Sequence, residues 1–165
     1  PETLALVPDR VRSRLSVVQQ CRAEDLGRVE AAYDRSGVQA RIATFFPNLP
    51  EEMAKAHVVI GRAGASTVGG LTVMGRPAIL VPLPHALHND QLQNALRLSD
   101  AGAAWCLEQK NYTPRSLAEA LTGLLASPGR LAKAAAAARA LGRPDAVTRL
   151  ADLVEELVGR GSQSA

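Results

Sequence analysis

Aromatic side chains are scarce: two Phe, two Tyr and one Trp make up 3% of 165 residues. Single-stranded nucleic acids are gripped largely by stacking on such rings, so no nucleic-acid partner is expected. Cysteine is scarcer still. Cys21 and Cys106 lie far apart without Cys-x-x-Cys or zinc-ligand spacing, a pattern of reduced, buried small hydrophobes and not of a disulfide framework or metal site. No apolar run approaches the ~20 residues of a membrane-spanning helix. The first ten residues, "PETLALVPDR", show no basic leader with an apolar stretch and cleavage site, so a cytoplasmic location is the expectation. The chain also has no G-x-G-x-x-G and no Gly-Lys-Ser/Thr, which sets aside the dinucleotide fingerprint and the P-loop.

What remains is an aliphatic, mildly basic chain, 47% hydrophobic with a net charge of +3 and a pI near 9.3. That balance fits anionic small ligands or an anionic surface equally well. Helical and strand-like stretches alternate. "LSVVQQC", "VQARIATFF", "HVVIG", "PAILVPL" and "AAWCLE" read as strands. Between them "AEDLGRVEAAYDRSG", "LPEEMAKA", "STVGGLTVMG" and "NDQLQNALRLSDAG" read as helices, with Gly37 as a stop signal. The segment before "LSVVQQC" is helical at least in its second half. From "TPRSLAEALTGLLASP" onward the pattern is helix only, through "RLAKAAAAARAL" and the amphipathic "PDAVTRLADLVEELVGR". Such alternation predicts an α/β, Rossmann-like fold, a parallel sheet with helices on both faces and a helical C-terminus. One domain over residues 1–158 and a flexible tail over 159–165 are expected.

Ligands of open α/β sheets gather beyond the carboxyl ends of the strands. In "VVIGRAGAST", Gly61 and Gly64 permit close backbone approach, and Ser66 or Thr67 is expected to cap the next helix. Unpaired amides at the positive end of a helix dipole would cradle an anion there; a glycine-rich turn needing no ligand is the plain alternative. The loop "HALHNDQLQNA" follows the next strand. Asn89 or Asp90 can cap its helix, and Asp90 and Asn94 share a face with Gln91 beside them. Neutral amides combine donors and acceptors, which suits sugar hydroxyls better than a charged substrate, although a polar helix start facing water would look the same. His85 and His88 lack a third ligand, so no metal is assigned. Phe45 and Phe46 end another strand, where main chain could read a nucleobase edge.

Taken in order, "R-x-G-A-x-T-V", "G-x-P-A-I-L-V-P-x-P" and "D-Q-x-x-N-A" resemble the donor-binding half of the MurG family, the bacterial transferases that add N-acetylglucosamine to lipid I to give lipid II. The resemblance runs from about Leu15 to Val158. It implies the C-terminal half of a GT-B glycosyltransferase, an inverting hexosyl transfer from UDP-N-acetylglucosamine, and no cofactor or metal. By position, Phe46 resembles the residue whose backbone meets uracil. Ala65, Ser66 and Thr67 match the nucleotide loop, Arg62 and Gly64 its supports, and Asp90, Gln91 and Asn94 the segment that holds the sugar. The resemblance further implies peptidoglycan synthesis at the cytoplasmic face of the inner membrane, with lipid I bound by an N-terminal domain.

Two positions depart from the pattern. Family members usually carry glutamate where this chain has Gly70, and with Gly69 beside it the helix is expected to fray unless another group compensates. The family's first strand and its "G-G-S-x-G-A" loop would precede Pro1, so the chain is expected to be a fragment, inactive alone, with no catalytic residue of its own. A UDP-sugar 2-epimerase half and a degenerate nucleotide-sugar module are the alternatives.

Overall fold

A computed structural model describes residues 1–84 and 89–162, with side chains described through Leu157. Five strands alternate with helices, as the hydrophobic pattern predicts. They are β1 (Ser16–Gln20), β2 (Gln39–Ala43), β3 (Val59–Gly61), β4 (Ala78–Leu80) and β5 (Ala104–Cys106). The helices are α1 (Asp9–Arg12), α2 (Leu26–Ser36), α3 (Leu49–Lys55), α4 (Ala65–Met74), α5 (Asp90–Asp100), α6 (Pro114–Leu125), α7 (Pro128–Leu141) and α8 (Ala146–Ser162). Short 3-10 turns precede α1, α2 and α6. Of the expected tail, residues 159–162 continue α8, and 163–165 lie outside the described residues.

Every strand pair is parallel, but the strands form two sheets, β1–β2 and β3–β4–β5. Among the described residues β1 pairs with β2 alone and β3 with β4 alone. The consequence is visible on the side chains: Val18 of β1 is 39% exposed and Ile60 of β3 is 44% exposed, whereas all three residues of β4 are buried. β4 has a neighbour on each edge and helices on each face. Its Ala78 and Leu80 pack with Leu71 of α4, Ala95 and Leu98 of α5 and Ala138 of α7, while Ile79 packs with Leu117 and Leu124 of α6. Alternate side chains thus enter opposite cores, the period of two that a strand requires. Burying a side chain such as Ile79 contributes about 1.5–3 kcal/mol.

Strand β2 stops at Ala43, three residues before the end of the apolar run "VQARIATFF". The last ladder bond is Cys21 N–H to Ala43 O, and the chain then turns ahead of Pro47, with Leu49 N–H donating to Phe46 O. The residue before a proline is pushed from helix, and Pro47 itself has no N–H for a ladder. Other local signals hold: Gly37 closes α2 at φ 66°, and Thr113 and Ser116 cap α6 reciprocally, each side chain accepting from the other's backbone N–H.

Helix α4 does not fray. It runs unbroken through Gly69 and Gly70, with Thr72 Oγ1 donating to Gly69 O. Tertiary packing outweighs the propensity cost: Leu71 is fully buried in the core beneath β4, and α4 is pinned from below where Arg139 of α7 donates to Met74 O. No described helix is long and apolar enough to cross a membrane.

Candidate functional site

Parallel pairing of β3 with β4 puts their carboxyl ends side by side, at Gly61 and Leu80. The two loops that leave them enter α4 and α5, and between these helix starts lies a cleft of about 660 Å³ lined by Gly64, Ala65, Leu83, Asp90, Gln91, Gln93 and Asn94. Five of the sequence-predicted residues therefore meet in one place: Gly64, Ala65, Asp90, Gln91 and Asn94.

The α4 side of the cleft is an uncapped helix start. Its N-cap is Gly64, with extended backbone and no capping side chain, so neither Ser66 nor Thr67 caps the helix as their position in the sequence suggests. Both lie inside the first turn, because the helix begins one residue after Gly64 and not at the hydroxyls. No acidic residue occupies that turn. The first amides of α4 consequently meet neither a side-chain acceptor nor a carboxylate at the positive end of its dipole.

The α5 side differs. Asn89 holds the N-cap position in a left-handed conformation, φ 58°, a region asparagine enters more readily than most residues. Its side chain makes no capping bond, and nor does that of Asp90, which is the first helical residue and brings a carboxylate into the first turn. His85 and His88 fall outside the described residues.

Three side chains tie the loops together. Asn94 Nδ2 donates to Ala63 O at 3.0 Å, joining α5 to the β3–α4 loop. Gln91 Oε1 accepts from Leu83 N–H at 3.0 Å, fixing the loop after β4. Arg62 Nη1 donates to Val81 O at 3.1 Å, Pro82 O at 3.2 Å and Gln109 Oε1 at 3.0 Å. Each amide keeps its other end: Asn94 Oδ1 remains an acceptor, and Gln91 Nε2 remains a donor. Arg62, expected from the sequence to support the β3–α4 loop, thus reaches the segments that follow β4 and β5.

Arg62, Ser66 and Thr67 do not line the cleft, and neither does Phe46. The Phe46 ring is buried with the Arg41 guanidinium 5.5 Å from its centroid, and Arg41 is held by Glu52 at 2.6 Å. That contact holds the Glu52 carboxyl below its usual range, the hydrogen bond from Arg41 being the main cause. Phe45, by contrast, is 69% exposed.

Sequence reading missed Leu83, Gln93 and Gln109. The first two stand within motifs already quoted, at the end of "PAILVPL" and inside "D-Q-x-x-N-A". Gln109 carries no local signal, since it lies 47 residues from Arg62. Cys106 ends β5, where burial first and the Glu108 carboxylate second push its thiol above the usual range.

Known proteins resemble this chain over most of its length. Curated relatives named UDP-N-acetylglucosamine–N-acetylmuramyl-(pentapeptide) pyrophosphoryl-undecaprenol N-acetylglucosamine transferase are similar over nearly the whole chain. The protein of Rhodospirillum centenum is 51% identical over 98% of this chain and 43% of its own length. That of Methylobacterium nodulans is 55% identical over 94% of this chain and 42% of its own. The chain thus spans less than half the length of these relatives. Among solved structures, Acinetobacter baumannii MurG superposes with a TM-score of 0.85 at 28% identity, over 94% of this chain and 44% of that one. The glycosyltransferase VinC, at 22% identity and a TM-score of 0.64, shares the fold. The family model described as the glycosyltransferase family 28 C-terminal domain matches residues 2–150, and the chain belongs to that family.

Proposed function

We propose that this chain is the donor-binding part of an inverting glycosyltransferase and that its cleft takes UDP-N-acetylglucosamine. The observation that carries the reading is the division of charge between the two helix starts. The α4 start has free amides and no acid, so it attracts the diphosphate; the α5 start carries Asp90, which repels phosphate and accepts from hydroxyls. A ligand anionic at one end and polyhydroxylated at the other fits that polarity. A nucleotide sugar is such a molecule. Gln91 Nε2 and Asn94 Oδ1 supply one donor and one acceptor for the sugar ring, and the main chain at Phe46 meets the base.

In this reading the α4 amides, with Ser66 and Thr67 in the same turn, stabilise the charge that builds on UDP as the glycosidic bond breaks, an electrostatic contribution largest in the transition state. The attacking hydroxyl belongs to lipid I, bound by a separate N-terminal domain at the cytoplasmic face of the inner membrane. A strand contributed from outside this chain would fill the unpaired edges of β1 and β3. No residue described here takes the proton from the acceptor, and the chain alone is expected not to turn over.

Isothermal titration of the purified chain tests the reading. UDP-N-acetylglucosamine should bind more tightly than UDP-galactose and than UMP. Equal, very weak responses to all three would instead favour a degenerate nucleotide-sugar module.

A further inference from the structure

Arg62 is tethered in an unusual way. One nitrogen, Nη1, faces three neutral oxygens, while no ion pair engages the guanidinium among the described residues. Two of those oxygens, Val81 O and Pro82 O, leave the end of β4. The third is the side-chain amide of Gln109, just past the end of β5. Arg62 itself follows β3. The loops after all three strands of one sheet therefore converge on a single nitrogen, and Gln109 provides the only one of the three acceptors that a side chain supplies.

Nη1 has two hydrogens for these three acceptors. The carbonyls of Val81 and Pro82 are adjacent in the chain and tie the guanidinium to the loop after β4, whereas Gln109 ties it to the segment after β5. Removing the Gln109 oxygen leaves the long arginine side chain held by the β4 carbonyls alone. The β3–α4 loop begins at Arg62, one residue before Ala63, whose carbonyl is the anchor for Asn94. Looseness at Arg62 is passed directly to Gly64 and Ala65 on the cleft wall.

We infer that Gln109 is a positioning residue for the nucleotide cradle, acting through Arg62 to set the loop that leads into α4. It does not itself line the cleft. The inference rests on the donor-site reading only where affinity is concerned; the tether itself is read without ligand.

The test is hydrogen exchange together with donor titration on Gln109→Ala and Gln109→Glu. Three amides report the junction: Val68, bonded to Gly64 O, Val81, bonded to Gly61 O, and Leu107, bonded to Leu80 O. In Gln109→Ala their exchange should quicken about tenfold, while the β1–β2 amide of Cys21 keeps its wild-type rate. Donor affinity should fall about tenfold, the equivalent of one hydrogen bond to a charged group. Gln109→Glu keeps an acceptor oxygen on a chain of the same length and should restore both. Unchanged exchange in Gln109→Ala overturns the inference, as does a Glu variant as loose as the Ala variant, or quickening at Cys21 equal to that at the junction. If the wild-type chain binds no nucleotide sugar, the proposed function fails while the exchange result still decides the role of Gln109.

Discussion

Asn94 Nδ2 donates to Ala63 O across 31 residues of sequence, joining α5 to the loop that opens α4. Ala63 is fully buried, so its carbonyl has no water to turn to. Replacing Asn94 by Asp removes the donor at constant shape and sets two acceptors against each other. Urea unfolding should report a loss of about 1–3 kcal/mol, the cost of an unsatisfied buried acceptor. A variant as stable as the wild type would mean the bond does not hold the loop.

Gln91 separates support from recognition. Its Oε1 accepts from Leu83 N–H, which a carboxylate would do equally well, whereas Nε2 is the part left for a ligand. Gln91→Glu should therefore melt within a degree or two of the wild type yet bind UDP-N-acetylglucosamine about tenfold more weakly, one charge-assisted or good neutral hydrogen bond's worth. Calorimetry on both proteins checks it. Loss of stability without loss of affinity would reverse the assignment.

The order of elements was legible because β-strand and helix periods differ, and five of the seven cleft residues were legible because they sit in short motifs at strand ends. Gly64, Ala65, Asp90, Gln91 and Asn94 needed no tertiary information. Three features did. The split between β1–β2 and β3–β4–β5 depends on pairings between distant strands, to which hydrophobic pattern is blind. Continuity of α4 across Gly69 and Gly70 depends on Leu71 and on Arg139 from α7, which override local propensity. The role of Gln109 depends on a contact between two loops, with nothing in either segment to announce it.

Gly70 tests the departure from the MurG pattern. A Cβ built there meets only Met74 Cε, at 3.4 Å, an ordinary contact with a flexible side chain. Gly70→Glu should fit the helix and stabilise it by roughly 0.5–1 kcal/mol through propensity alone. It also supplies the carboxylate that the family resemblance leads one to expect at this place, so on the proposed donor reading the affinity for UDP-N-acetylglucosamine should rise about tenfold. Thermal unfolding and titration read the two effects separately. A more stable helix without tighter binding would show that a carboxylate at this position makes no contact with the donor.

Tyr33 predicts the alkaline limit of the fold. The residue is 5% exposed, its hydroxyl donates to Gln19 Oε1 at 2.6 Å, and burial pushes its pKa up to about 12 from 10. The unfolded chain therefore releases this proton first. The contribution is fully present below pH 10 and is lost as pH climbs through 12, by about 2–3 kcal/mol for a shift of this size. In a Tyr112→Phe background the tyrosinate absorbance of the folded protein should report Tyr33 alone. A midpoint near pH 10 with the fold intact would contradict the burial argument.

Helix α8 is the least supported element. All its residues from Ala146 to Leu157 are exposed, including Val147, Leu150, Leu153, Val154 and Leu157, whose spacing forms an apolar stripe that joins no core cluster among the described residues. A single helix of this length is marginal in water without packing. Ending the chain after Asp145 removes α8 and should leave the melting temperature of the remainder within about 2 °C, because the ledger of buried apolar area barely changes. The far-UV helical signal should fall by less than the helix's share of residues if α8 is already fraying in solution, and by its full share if the stripe is covered by self-association. Analytical ultracentrifugation of the intact chain distinguishes the two, and a melting temperature lowered by many degrees on truncation would show that α8 packs on the domain after all.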